Sequence, residues 1–248
     1  MYSGLTAEEI RITGHGGDEI SAYLARPVGP GPFPGVAVIH HMPGWDESTI
    51  EIALKFALHG YLAIVPNLHY REGPDSSPDD AAAASRGTGG VPDERLLGDL
   101  SGAIDHFASF PEFNGKAGVI GYCSGGRQAF LAACSLEIDA AVDCYGAFVV
   151  GDPPEGMPLR VTPIVHLAEN IHCPLLGLFG NDDKFPTPEQ VDVLEAELKR
   201  VGATYEFHRY DGAGHGFFST DRAMYRPEAA TDGWERIFEF FGRYLVTA

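Results

Sequence analysis

Basic residues are scarce: 17 lysines and arginines stand against 35 aspartates and glutamates, a net charge of −18. Nucleic acid and anionic membranes both require clustered positive charge, so neither is an expected partner. A small anionic substrate stays compatible, because one pocket arginine outweighs the overall field locally. Long apolar runs are also missing. Each is broken by Gly, Pro or a charge well short of a membrane span. The N-terminal stretch has no basic segment leading into an apolar one, so no secretory signal is read and a cytoplasmic protein is expected. The four cysteines show no C-x-x-C pair and no metal-finger spacing, which argues against disulfides and a zinc module. Repeats and low-complexity linkers are lacking too, so residues 1–248 read as one domain.

What is present alternates between strand and helix patterns. Glu9 to Ile12 and Ile20 to Arg26 read as an opening hairpin around Gly14-His15-Gly16-Gly17-Asp18. Continuous apolar runs at 35–39, 62–66, 117–121, 140–145 and 175–180 suit strands buried on both faces. Ser48 and Glu51 fit a capping box for a helix closing near Gly60, and Thr187-Pro188-Glu189-Gln190 opens another. Residues 67–91 read as a long polar loop, 92–110 as a helix, and 146–172 as an irregular excursion. Repeated strand–helix units imply an α/β fold with a mainly parallel sheet between helices, and its ligand site lies beyond the carboxyl ends of the strands.

One such end carries chemistry. Strand, then Gly121-Tyr122-Cys123-Ser124-Gly125, then helix is the nucleophile-elbow pattern with cysteine at its centre. The turn strains its central residue and needs small neighbours two places away on each side. Cys123 has Gly121 and Gly125 there, whereas Ser124 would have Tyr122 on one side. The Ser124 amide, at the start of the following helix, faces a developing oxyanion, and the helix dipole favours a thiolate. A close-packed or phosphate-binding turn would share this local pattern, so partners are needed. Asp182 and Asp183 follow the strand at 175–180, and His215 sits between Gly214 and Gly216 after the last strand. Nucleophile, acid and histidine thus come in α/β-hydrolase order. His40 and His41 end the strand at 35–39, but no H-E-x-x-H or matching carboxylate spacing makes them metal ligands.

These motifs together resemble the dienelactone hydrolase family of thiol hydrolases, over nearly the whole chain from about residue 9. The strongest are Gly121-Tyr122-Cys123-Ser124-Gly125-Gly126 and Ala213-Gly214-His215-Gly216-Phe217, with Pro66-Asn67-Leu68-His69-Tyr70-Arg71 and the 179–185 segment in support. The resemblance implies the α/β-hydrolase fold and a triad of Cys123, Asp183 and His215, with Asp183 set by its place between Gly180 and Phe185. It implies Met42 as the second oxyanion amide and Arg71 as the ligand of a substrate carboxylate. It implies no cofactor and no metal. Two positions depart from the family. His41 stands where a first-loop glutamate is expected, and a hydrogen-bonding His41 would stabilise a Cys123 thiolate. Ser219 stands where a second carboxylate-binding arginine is expected, with Arg222 the nearest basic residue. The expected substrate is a small ester or lactone, with or without a carboxylate. Peptidase, acyltransferase and non-catalytic, redox-responsive binder are the alternatives, and the oligomeric state is left open.

Overall fold

The structure is a computed structural model that describes residues 4–246. Strands β1 (Leu5–Thr13) and β2 (Glu19–Pro27) form the antiparallel opening hairpin, longer at both ends than the sequence pattern implied. Strand β3 (Phe33–Ile39) leads to helix α1 (Glu47–Leu58) and β4 (Leu62–Pro66). Helices α2 (Pro78–Gly87) and α3 (Asp93–His106) follow, then β5 (Phe113–Tyr122), α4 (Ser124–Ala133) and β6 (Ala140–Cys144). The chain closes with β7 (Leu175–Gly180), α5 (Pro188–Val201), β8 (Tyr205–Tyr210) and α6 (Pro227–Leu245). The eight strands make one sheet in the order β1-β2-β4-β3-β5-β6-β7-β8. Pairings from β4 to β8 are parallel, and β2 joins β4 antiparallel.

The continuous apolar runs are explained by cover on both faces. Side chains alternate along a strand, so Val36 and Val38 pack on one face with Phe56 of α1 and Phe241 of α6. Ala37 and Ile39 face the other way, toward Leu96 and Leu100 of α3 and Leu194 of α5. Among the described residues no helix is long and apolar enough to cross a membrane.

Two local expectations are corrected. The cap of α1 is Asp46, not Ser48: Asp46 Oδ1 accepts from the Thr49 amide at 3.0 Å and from the Thr49 hydroxyl at 3.0 Å. The extended backbone that a cap requires falls at Asp46, so Ser48 lies inside the first turn. The supposed loop at 67–91 contains α2, capped by Ser77 with Pro78 in the first turn. Four consecutive alanines, 81–84, supply its helix propensity. In contrast, α5 has the full capping box of Thr187 and Gln190, as its sequence indicated, and ends on left-handed Gly202.

Candidate active site

Between β5 and α4, Cys123 adopts φ 58° and ψ −119°, a conformation costing about 1–3 kcal/mol for a residue with a side chain. Its small neighbours are a steric necessity. A Cβ on Gly121 would lie 1.8 Å from the Gly125 carbonyl oxygen, and one on Gly125 would lie 2.5 Å from that of Ile39. The strain is held by backbone bonds: the Cys123 amide donates to Cys144 O at 3.1 Å, and its carbonyl accepts from Gly126 at 3.0 Å. The turn therefore lifts the thiol to the carboxyl edge of the sheet at the start of α4, where the first helical amides lack intrahelical acceptors.

The β7 and β8 ends bring the partners in. Gly180 packs so closely on the turn after β8 that a Cβ there would stand 2.2 Å from Ala213 O. Asp182 N donates to Ala213 O at 2.9 Å, tying the two loops together. His215 Nδ1 then meets Asp183 Oδ2 at 2.9 Å, and Asp183 Oδ1 accepts from the Phe185 amide at 2.8 Å. Asp183, not Asp182, is thus the carboxylate on the histidine, and it is buried. Burial works against a charged imidazole here, but the Asp183 hydrogen bond and the neighbouring Cys123 prevail and raise His215 to about 10. The Tyr145 and His215 rings pack edge-to-face with centroids 5.1 Å apart.

Met42 follows β3 and borders the same cleft as Cys123 and Ser124. The turn carrying it is held by two histidines. His40 is buried; its Nδ1 bonds His41 O at 2.9 Å and its Nε2 accepts from the Leu68 amide at 3.2 Å. That burial lowers His40 to about 4 and keeps it neutral. His41 bonds through Nε2 to Asp46 at 2.6 Å, so its hydrogen-bond partner is the α1 cap and not Cys123.

Arg71 is not at the site. Its Nη1 and Nη2 grip the fully buried Asp99 of α3 at 2.8 and 3.0 Å, and its Nε meets Asp18 at 2.8 Å. The fork that was expected to hold a substrate carboxylate pins the β1–β2 turn to α3 instead, and Arg71 borders neither cleft at Cys123. The residues that sequence reasoning missed lie on and beside α2: Ser85, Arg86 and His69 line the cleft with Gln128 of α4. A helix recognised at 78–87 would have brought Arg86 to the strand ends.

Fold and side-chain arrangement together define an α/β-hydrolase. The family model described as "Dienelactone hydrolase family" matches residues 20–245. The chain is 37% identical over 235 residues to a protein of Escherichia coli (strain K12) named "Putative carboxymethylenebutenolidase", covering 92% of this chain and 84% of that one. It is 28% identical over 235 residues to a Bradyrhizobium protein named "Probable 2-oxo-3-(5-oxofuran-2-ylidene)propanoate lactonase", covering 94% and 92% of the two chains. Among solved structures, a Klebsiella pneumoniae protein titled "Putative Dienelactone Hydrolase" superposes with a TM-score of 0.85 at 30% identity, covering 97% and 100% of the two chains. The chain belongs to the dienelactone hydrolase family.

Proposed function

We propose that the protein is a thiol hydrolase of ester or lactone bonds that works through a covalent acyl-enzyme on Cys123. The observation that carries this reading is the Asp183–His215 hydrogen bond beside a cysteine at a strained elbow. Family membership supports the bond type, and the named relatives are a carboxymethylenebutenolidase and a lactonase by their descriptions. The four cysteines are free, which suits a reducing compartment and a cytoplasmic location.

In the proposed reaction Cys123 Sγ attacks the carbonyl carbon while its proton resides on His215 Nε2. The Nδ1 side, bonded to Asp183, fixes the ring and steadies its positive charge. The carbonyl oxygen becomes an oxyanion, held by the Met42 and Ser124 amides. The tetrahedral species collapses, the C–O bond breaks, and the departing alkoxide takes the proton from His215. Water then attacks the thioester, giving its proton to His215. Collapse releases the carboxylic acid and returns the thiol–imidazole pair. His41, bonded to Asp46, positions the Met42 turn in this scheme.

Cys123→Ala tests the scheme directly. Hydrolysis of a simple aryl ester should fall by about 10³-fold or more. Near-full activity would overturn the assignment. Stoichiometric iodoacetamide labelling with matched loss of activity separates a catalyst from a non-catalytic binder.

A further inference from the structure

Two clefts meet at Cys123, and they differ in size. The narrow one runs beneath α2 toward Ser85 and Gln128 and holds about 60 Å³. The wide one opens past His215 and holds about 450 Å³. Met42, Ala147, Phe148, Met157 and Phe185 give it apolar walls, with the Phe148 and Phe185 rings 5.7 Å apart. Apart from Asp183 and His215, its charged borders are Asp182 and Lys184, which are exposed and opposite in sign. Their charges offset, so the wide cleft suits a neutral, apolar group.

Phe148 borders both clefts, and its backbone is strained. Its φ of 66° is left-handed, a region that a bulky side chain rarely occupies. Bonds on either side hold it there. One residue earlier, the Ala147 amide donates to Cys123 O at 3.4 Å; one residue later, Val149 O accepts from the Ile164 and Val165 amides at 3.0 Å. A glycine at 148 would relieve the strain, yet a buried phenyl ring stands there. Strain kept against that alternative marks a ring whose position matters.

Histidine placement decides which part of a substrate lies where. The alcohol oxygen leaves with a proton from His215, so the alcohol part lies in the cleft that His215 borders and the acyl part extends into the other. The acyl cleft is short of room, and Ser85 Oγ and Gln128 Oε1 in its walls are buried without hydrogen-bond partners. A bulky hydrocarbon there would sit against polar atoms it cannot satisfy. The alcohol cleft has the opposite character. We propose, building on the thiol-hydrolase reading, that the enzyme selects esters whose bulk lies in an apolar alcohol, with Phe148 as the partition that contacts this alcohol and keeps it off the acyl side. An open-chain ester fills the wide cleft, whereas a small lactone, its alcohol oxygen tied back to its own acyl chain, leaves most of it empty.

The experiment compares kcat/KM for two isomers, 2-phenylethyl acetate and methyl 3-phenylpropanoate, with ethyl acetate as the small reference. The isomers share a formula and release unactivated alcohols; they differ in which side carries the phenyl ring. The phenylethyl acetate should exceed its isomer by about 10-fold to 100-fold and ethyl acetate by about tenfold, the range for burying an apolar group in a fitted pocket. Met157→Ala, which trims the alcohol cleft alone, should cut the gain over ethyl acetate by about threefold or more. Phe148→Ala should bring the two isomers to within about threefold of each other, with Phe148→Leu retaining part of the difference. Equal or reversed preference between the isomers in the wild-type enzyme, or ratios that Met157→Ala and Phe148→Ala both leave unchanged, overturns the proposal. Hydrolysis of 4-nitrophenyl acetate without the alcohol-side preference sinks this inference alone, whereas no ester turnover at all sinks the thiol-hydrolase reading beneath it.

Discussion

At the level of single residues, His215 is held in its charged form by two neighbours at once, with burial opposing them. Its folded pKa of about 10 lies above the usual value near 6.5, so folding binds the proton more tightly than the unfolded chain does. This stabilisation is fully present below about pH 6.5 and is lost as pH rises through about 10. Denaturation titrations across that window should show wild-type stability declining relative to His215→Gln; parallel curves would refute the pairing. The residues of this pair were legible for local reasons. Gly121 and Gly125 mark Cys123 because the elbow's steric demand is met within two residues, as the 1.8 Å clash at Gly121 shows. Local chemistry treats Asp182 and Asp183 alike; the family resemblance, through the place of Asp183 between Gly180 and Phe185, is what selected it, and the fold puts that carboxylate on a histidine some thirty residues away.

Among the elements, α1 carries the sharpest test of a cap. Asp46 is lowered to about 2: burial pushes it up, but hydrogen bonds from His41 and Thr49 outweigh that. The contribution of this depressed carboxyl is present above its ordinary pKa near 3.8 and fades as pH falls toward 2. Asp46→Ala should cost about 1–2 kcal/mol in urea denaturation, while Ser48→Ala should stay within about 0.5 kcal/mol. The reverse order would restore Ser48 as the cap. Serine and aspartate are both good caps, so the sequence pattern Ser48-x-x-Glu51 was plausible; the extended backbone two residues earlier is what excludes it. Helix α2 escaped notice for a related reason. Its alanines carry no apolar stripe, and its Asp, Ser and Gly neighbours resemble loop composition. Helix α5 was legible to the residue, because a capping box with an N1 proline depends on nothing distant.

Across the whole molecule, Arg71 ties the opening hairpin to the helical layer through Asp18 and Asp99, which lie 53 and 28 residues away in sequence. Such partners leave no trace in a local motif, which is why the family resemblance alone suggested substrate binding for Arg71. Asp99 is fully buried, so removing its cation strands a charge in the interior. Arg71→Met should destabilise the protein by about 3–5 kcal/mol, lowering Tm by roughly 2–4 °C for each kcal/mol, and leave the KM for a simple aryl ester unchanged. A raised KM with unchanged Tm would return Arg71 to the site. The strand–helix alternation itself was readable because a parallel sheet covered on both faces requires unbroken apolar strands, and β4, β6 and β7 are buried at every position.

The central claim is that Cys123 becomes covalently acylated. Acid quenching during turnover of 4-nitrophenyl acetate, followed by intact-mass and peptide-level mass spectrometry, measures this directly. An acetyl adduct of about one per chain on the peptide containing Cys123, localised to its sulfur and absent from Cys123→Ala, is the predicted result. An adduct on Ser124, or turnover under single-turnover conditions with no adduct on Cys123, would contradict it.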